Sequence, residues 1–134
     1  MAIQIYIASA FANKPAANEF AAQLRCAGYE VTSTWHKLHT TDAVGSVESE
    51  HAALKSLREI DQCDVVVALL TDGHQRGGKD FECGYAFGTE KVVLFVGPRQ
   101  HIFHYMPSWR WPYTWFATTD EVLKYIHRWK EQWT

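Results

Sequence analysis

The residues best suited to chemistry sit in one stretch, Arg76-Gly77-Gly78-Lys79-Asp80-Phe81-Glu82-Cys83-Gly84-Tyr85-Ala86. The glycines mark a turn and the residues after them have the spacing of a short amphipathic helix, which predicts Glu82 in the helix's first turn. There the positive end of the helix dipole and the amides of Gly77 and Gly78 keep a carboxylate ionised and can hold an anion beside it. A positioned, ionised carboxylate is what attack on a sugar C1′ requires. The leaving base departs through an oxocarbenium-like transition state, and the acid captures or stabilises the sugar. The competing reading of Glu82 is a surface charge that caps the turn.

Other side chains could serve such a site. Arg76 beside two glycines has the chemistry of a phosphate ligand, with a solvated loop charge as its alternative. Ser9 follows the first strand and could bind phosphate or sugar. Asp80 lies close enough to Glu82 for the two acids to repel, which would raise one pKa and make Asp80 a proton donor; an exposed acid at the helix start is the other reading. Phe11, Trp35 and Trp109 could stack on a base or belong to the core. His104 could touch substrate or be structural. His36, His39, His101 and His104 lack the spacing of a helical metal site, so no metal is expected. Lys79 is followed by Asp80 rather than Ser or Thr, so this is not a P-loop, and no Gly-x-Gly-x-x-Gly opens the first helix. No cofactor is expected.

The elements that must position these residues alternate in type. Ile3 to Ala8 reads as an interior strand and Ser9 to Pro15 as a loop, with Pro15 in the first turn of a helix that Gly28 ends. Tyr29 to Trp35 reads as a second strand, and His36 to Val47 as a mobile polar loop. Glu48 to Gln62 reads as a helix with Ala52, Leu54, Leu57 and Ile60 on one face. Asp64 to Leu70 and Lys91 to Gly97 are β-branched runs of strands buried on both faces, with Asp64 structural. Arg99 to Tyr113 is irregular and aromatic. Trp115 to Ala117 is a short last strand, and Thr118 or Thr119 caps a final helix. The pattern predicts a flavodoxin-like α/β fold: a doubly wound parallel sheet of about five strands, order 2-1-3-4-5, with ligands at its carboxyl edge.

A chain of 134 residues fits one domain, here 1–134. Its net charge of −2 argues against a nucleic-acid backbone as partner. No apolar run reaches the ~20 residues of a membrane span, and no signal peptide is evident. Three cysteines without a CxxC pair read as free thiols in a reducing compartment, hence a cytoplasmic location.

Tyr6 in Ile5-Tyr6-Ile7-Ala8-Ser9-Ala10-Phe11, the Asp64 strand, and Gly78-Lys79-Asp80-Phe81-Glu82-Cys83-Gly84-Tyr85-Ala86 with Lys91-Val92-Val93 resemble the nucleoside 2-deoxyribosyltransferase family. Its relatives include 2′-deoxynucleoside 5′-monophosphate N-glycosidases. The resemblance implies a nucleophile at Glu82, a tyrosine at Tyr6 that orients it, and a homo-oligomer whose subunits complete each other's sites, with the stretch from Phe103 to Trp115 as candidate interface. It implies a nucleoside or nucleotide substrate whose sugar passes to water or to another base. Two positions depart from the family pattern. Its aspartate on the helix before the third strand falls at Ser56, and its loop aspartate, which protonates the base, falls at Arg76. Asp72 and Asp80 are the acids nearest to substitute. Two rivals follow: a nucleotide-sensing module without turnover, favoured by those two departures, and a glycohydrolase of a larger nucleotide such as NAD, for which the long polar loop would leave room.

Overall fold

The computed structural model describes residues 2–37, 47–71 and 77–132. Strand β1 (Gln4–Ser9) leads through a 3-10 turn at Phe11–Asn13 into helix α1 (Lys14–Cys26). Pro15 lies in the first turn of α1, where its missing N–H costs nothing, and Gly28 ends the helix at φ 93°, a conformation that favours glycine. Strand β2 (Glu30–Val31), helix α2 (Val47–Gln62), strand β3 (Val65–Leu69) and helix α3 (Gly78–Gly88) follow. Strand β4 (Val92–Val96), strand β5 (Trp115–Phe116) and helix α4 (Thr119–Trp129) complete the fold. Thr118 caps α4 by accepting from the Glu121 amide, while Asp120 and Glu121 in its first turn complement the helix dipole.

The five strands are all parallel in the order β2-β1-β3-β4-β5, as the alternation of strands and helices predicts. Asp64 locks the start of β3 to β1: its side chain accepts from the Gln4 amide at 2.9 Å and its own amide donates to the Gln4 carbonyl. Alternate residues of each interior strand enter two apolar layers. Ile5, Ile7, Val65, Val67, Val92 and Leu94 meet Phe20 and Leu24 of α1 and Val122 and Ile126 of α4 on one face. On the other, Ala8, Val66, Ala68, Val93 and Phe95 meet Ile60 of α2 and Cys83 and Ala86 of α3. Burying each large side chain contributes about 1.5–3 kcal/mol. Tyr6 belongs to this second layer, and its side chain is completely buried. The period of two therefore turns the phenol toward α2 and α3.

Three sequence expectations change. The second strand spans only Glu30–Val31, not Tyr29 to Trp35: beyond the bond from the Thr32 amide to the Ile5 carbonyl, side chains take over from the ladder. Glu59 accepts from both the amide and the hydroxyl of Thr34, and the Trp35 indole donates to the Ile7 carbonyl. His36, expected in a mobile loop, is fully buried in a 3-10 turn at Trp35–Lys37. The rest of that loop, from 38 to 46, lies outside the described residues, His39 included. On α2, Ala52 and Leu54 are exposed; the inward face is Ser56, Leu57, Glu59 and Ile60. Two of those four side chains are polar, which an apolar-period reading passes over.

Candidate active site

Tyr6 and Glu82 are 76 residues apart in the chain, and the Tyr6 hydroxyl donates to Glu82 Oε2. Ser56 of α2 hydrogen-bonds to both. One residue from β1, one from α2 and one from α3 thus converge on the carboxylate, and the parallel sheet with two helices on this face is what brings them together.

The helix does not hold Glu82 as the sequence predicts. Gly77 caps α3 at φ 90° and Gly78 begins it, so Asp80 occupies the first turn and Glu82 the second. Gly77 and Gly78 are exposed at the helix start, removed from the carboxylate by a turn. The dipole's positive end acts within the first turn. The dominant influence on Glu82 is burial, which raises its pKa to about 7; the Tyr6 and Ser56 hydrogen bonds oppose this and the nearby Glu59 charge adds to it. Glu82 is therefore a carboxylate poised between its two forms near neutral pH, not one pinned in the ionised form. Burial and the Glu82 charge raise the Tyr6 pKa, so the phenol keeps its proton and acts as a donor.

Asp80 does not join them. It is two residues from Glu82, about 200° around the helix, and faces the other way. With Cys83, Gly84 and Phe87 it lines a cavity of about 440 Å³ closed by Val93, Phe95, His101, Phe103, His104 and Met106. Burial pushes the Asp80 pKa up, but hydrogen bonds from His101 and His104 and the Lys79 ammonium outweigh it and hold the carboxyl below its ordinary value. Asp80 is thus an acceptor at neutral pH, which speaks against the proton-donor reading and leaves the other, an acid in the first turn of the helix. His104, buried, is in this group and not beside Glu82.

The three ligand atoms of Asp80, His101 and His104 lie within 4.8 Å of one another, a proximity that the dispersed sequence positions conceal. The tautomers oppose a metal. His101 Nδ1 accepts from the Phe103 amide and His104 Nδ1 from the Gln100 amide, so each ring keeps its proton on Nε2 and donates it to Asp80. A metal-ligating histidine normally donates from its second nitrogen. The group works as a clasp between α3 and the segment after β4. Gln100 extends it, donating to the Thr71 carbonyl and accepting from Lys79 at 3.5 Å.

Ser9, at the carboxyl end of β1, is buried; its hydroxyl donates to the Leu69 carbonyl at 2.8 Å and accepts from Asn13 at 3.0 Å. Phe11 packs against Trp35 with ring centroids 6.1 Å apart. Trp109 instead covers Phe87, donating to its carbonyl, on the far side of α3. Arg76 and Asp72 lie outside the described residues. The residue that sequence reasoning missed is Glu59, buried on α2 one turn beyond Ser56. Its signal was the three-residue spacing from Ser56, which puts both on one face of a helix.

The model of the nucleoside 2-deoxyribosyltransferase family matches residues 5–109, a span that begins just before Tyr6 and takes in Ser56 and Glu82. The chain belongs to that family, a family of enzymes. Among solved structures it is similar to the 2-deoxyribosyltransferase of Bacillus psychrosaccharolyticus, at 23% identity and TM-score 0.65 over 89% of each chain. It is also similar to the CMP N-glycosidase BcmB of Clostridium botulinum, at 14% identity and TM-score 0.62 over 93% of this chain and 98% of that one. At these identities the likeness is one of fold. No curated protein sequence matches the chain. Among the described residues, no helix is long and apolar enough to cross a membrane.

Proposed function

We propose that this enzyme cleaves the N-glycosidic bond of a (deoxy)nucleoside or its 5′-monophosphate, with Glu82 as nucleophile. The observation that carries the reading is the Tyr6–Glu82 hydrogen bond across β1 and α3. It fixes the carboxylate's orientation without supplying charge, as attack on one carbon requires. An oxygen of ionised Glu82 bonds to C1′ as the C1′–N bond breaks. The base leaves with the electron pair and takes up a proton. Water or a second base then attacks C1′ and releases Glu82. Ser9, Phe11, Gly77, Gly78 and Arg76 are the residues proposed to hold sugar and phosphate. Family membership supports the reading, as do fold neighbours whose own names describe deoxyribosyl transfer and CMP N-glycoside cleavage.

The enzyme is further proposed to be a cytoplasmic homo-oligomer. Ile102, Phe103, Tyr105, Trp109 and Tyr113, all from the segment between β4 and β5, are each more than half exposed, and exposed aromatic side chains in such number mark an interaction surface. A light-scattering mass at a multiple of 15.4 kDa supports this; a monomer at working concentration overturns it.

The activity is tested by chromatographic detection of free base from a panel of nucleosides, 5′-monophosphates and NAD, with and without an acceptor base. Release from at least one deoxynucleoside or deoxynucleotide is expected, and new nucleoside in the acceptor lane identifies a transferase. Binding without release across the panel overturns the reading in favour of a sensor.

A further inference from the structure

Glu59 is a second buried carboxylate on the face of α2 that meets Tyr6 and Glu82, and no step above uses it. Its surroundings are fully built. Oε1 accepts from the Thr34 amide at 3.1 Å and Oε2 from the Thr34 hydroxyl at 2.6 Å. Its backbone carbonyl accepts from the Thr32 hydroxyl at 3.0 Å. Both carboxyl oxygens are thus engaged by Thr34.

The segment that Glu59 clamps runs along the strand that carries Tyr6. Thr32 donates its amide to the Ile5 carbonyl, the Ser33 hydroxyl oxygen accepts from the Ile7 amide, and the Trp35 indole donates to the Ile7 carbonyl. Ile5 and Ile7 flank Tyr6, so the backbone on both sides of the tyrosine is fixed by a segment that Glu59 holds at Thr32 and Thr34. A strand of two residues could not do this through its ladder alone.

We propose that Glu59 is a positioning residue for the Tyr6–Glu82 pair: it anchors the 32–35 segment that fixes Tyr6, and its charge sets the electrostatic field in which Glu82 works. The titratable groups facing Glu82 among the described residues are Tyr6 from β1 and Glu59 from α2, with Cys83 next to it on α3. Of these only Glu59 brings a second negative charge. A like charge favours the protonated form of Glu82 and makes the ionised form a stronger nucleophile. An acid on this helix thus serves the site from one turn beyond Ser56. This role rests on Glu82 being the nucleophile, but the charge effect can be read without turnover.

The test is the titration of Glu82 by carbon NMR in protein labelled at glutamate carboxyls, its signal assigned by loss in Glu82→Gln. In Glu59→Gln, which keeps the side chain's shape and removes its charge, Glu82 is expected to titrate lower by about half a unit or more. The acidic limb of base release moves down with it. Thr34→Val, which deletes one clamp bond and leaves the charge, serves where Glu59→Gln does not fold; it is expected to lower kcat by about tenfold with KM little changed. A Glu82 titration within about 0.2 unit of wild type in Glu59→Gln overturns the proposal. So does an unchanged kcat in Thr34→Val where that variant alone is available. Absence of base release from the wild type overturns the activity assignment instead, and the NMR titration still decides the role of the Glu59 charge.

Discussion

The hydroxyl of Tyr6 donates to Oε2 of Glu82, joining a fully buried residue of an interior strand to the second turn of the helix that covers it. This contact is the shortest route between the fold and the chemistry. Removing the carboxylate in Glu82→Ala is expected to lower base release at least ~100-fold, about 2.7 kcal/mol of transition-state stabilisation. Tyr6→Phe keeps the ring and loses the donor. It is expected to cost about tenfold to a hundredfold in kcat and to move the acidic limb upward, because the lost bond favours the ionised carboxylate. Steady-state kinetics across pH measures both.

Glu82 links pH to stability as well as to rate. Its folded pKa of about 7 lies above the ordinary 4.5, so the native state binds this proton more tightly than the unfolded chain. The contribution to stability is therefore full below the ordinary value and is lost as pH rises toward 7, on the order of 3 kcal/mol in total. Glu82→Gln is expected to flatten this part of the Tm profile and to exceed the wild type above neutral pH. Activity runs the other way, rising over the window in which stability falls. Calorimetry and initial rates over the same pH series check the opposition.

His36 works in the opposite sense. Its ring is held between Asn18 Oδ1 at 2.8 Å and the Ser33 hydroxyl at 2.9 Å, while Ser33 also accepts from the Ile7 amide. In the neutral ring, Nδ1 donates to Asn18 Oδ1 and Nε2 accepts the serine proton. Burial, reinforced by the Arg25 and Lys37 charges, pushes its pKa down to about 4. The neutral ring's contribution to stability is present above the ordinary 6.5 and is lost as pH falls toward 4. His36→Ala is expected to destabilise by about 2–4 kcal/mol at pH 8 and to shrink the loss of stability between pH 6.5 and 4. Urea unfolding at several pH values reads both effects.

Among the described glycines, Gly97 is the one least able to accept a side chain. It sits at φ 110° directly after β4, and an added Cβ would lie 2.6 Å from the Leu70 carbonyl oxygen. That carbonyl is backbone next to β3 and cannot swing aside. Gly97→Ala is expected to cost about 3 kcal/mol or more, from the left-handed conformation and the clash together. The fall appears in the urea midpoint with little change in m-value.

Much of this was legible in the residues. The β-branched runs at Val65 and Val92, Pro15, Gly28 and the Thr118 cap each carry a local physical preference that the fold obeys, and they suffice for the sheet order. Glu82 and Tyr6 were legible as a pair through the family resemblance. Local pattern failed where side chains from distant elements decide. Thr32 to Trp35 has strand-forming residues, yet Glu59 and the Ile7 backbone capture them. Asp80 and Glu82, neighbours in sequence, work on opposite sides of one helix. The surroundings of Glu82 were misjudged for the same reason: helix position was readable, but burial against α2 and β1 was not. His101 and His104 gave no sign of meeting Asp80, since a clasp between α3 and the segment after β4 exists only once the sheet has formed.

The two-residue strands at the rims of the sheet bear on how this protein survives at high concentration. The ladders between β1 and β3 and between β3 and β4 each hold five residue pairs, whereas β2 and β5 are attached by two apiece. An outer strand so short offers an incoming chain almost no run of free amides and carbonyls to copy. The valine-rich segment most prone to stack into fibrils, β3, is paired along all five of its residues on both sides, with β1 and with β4. Short rims around a fully paired centre thus offer little for edge-to-edge assembly to build on.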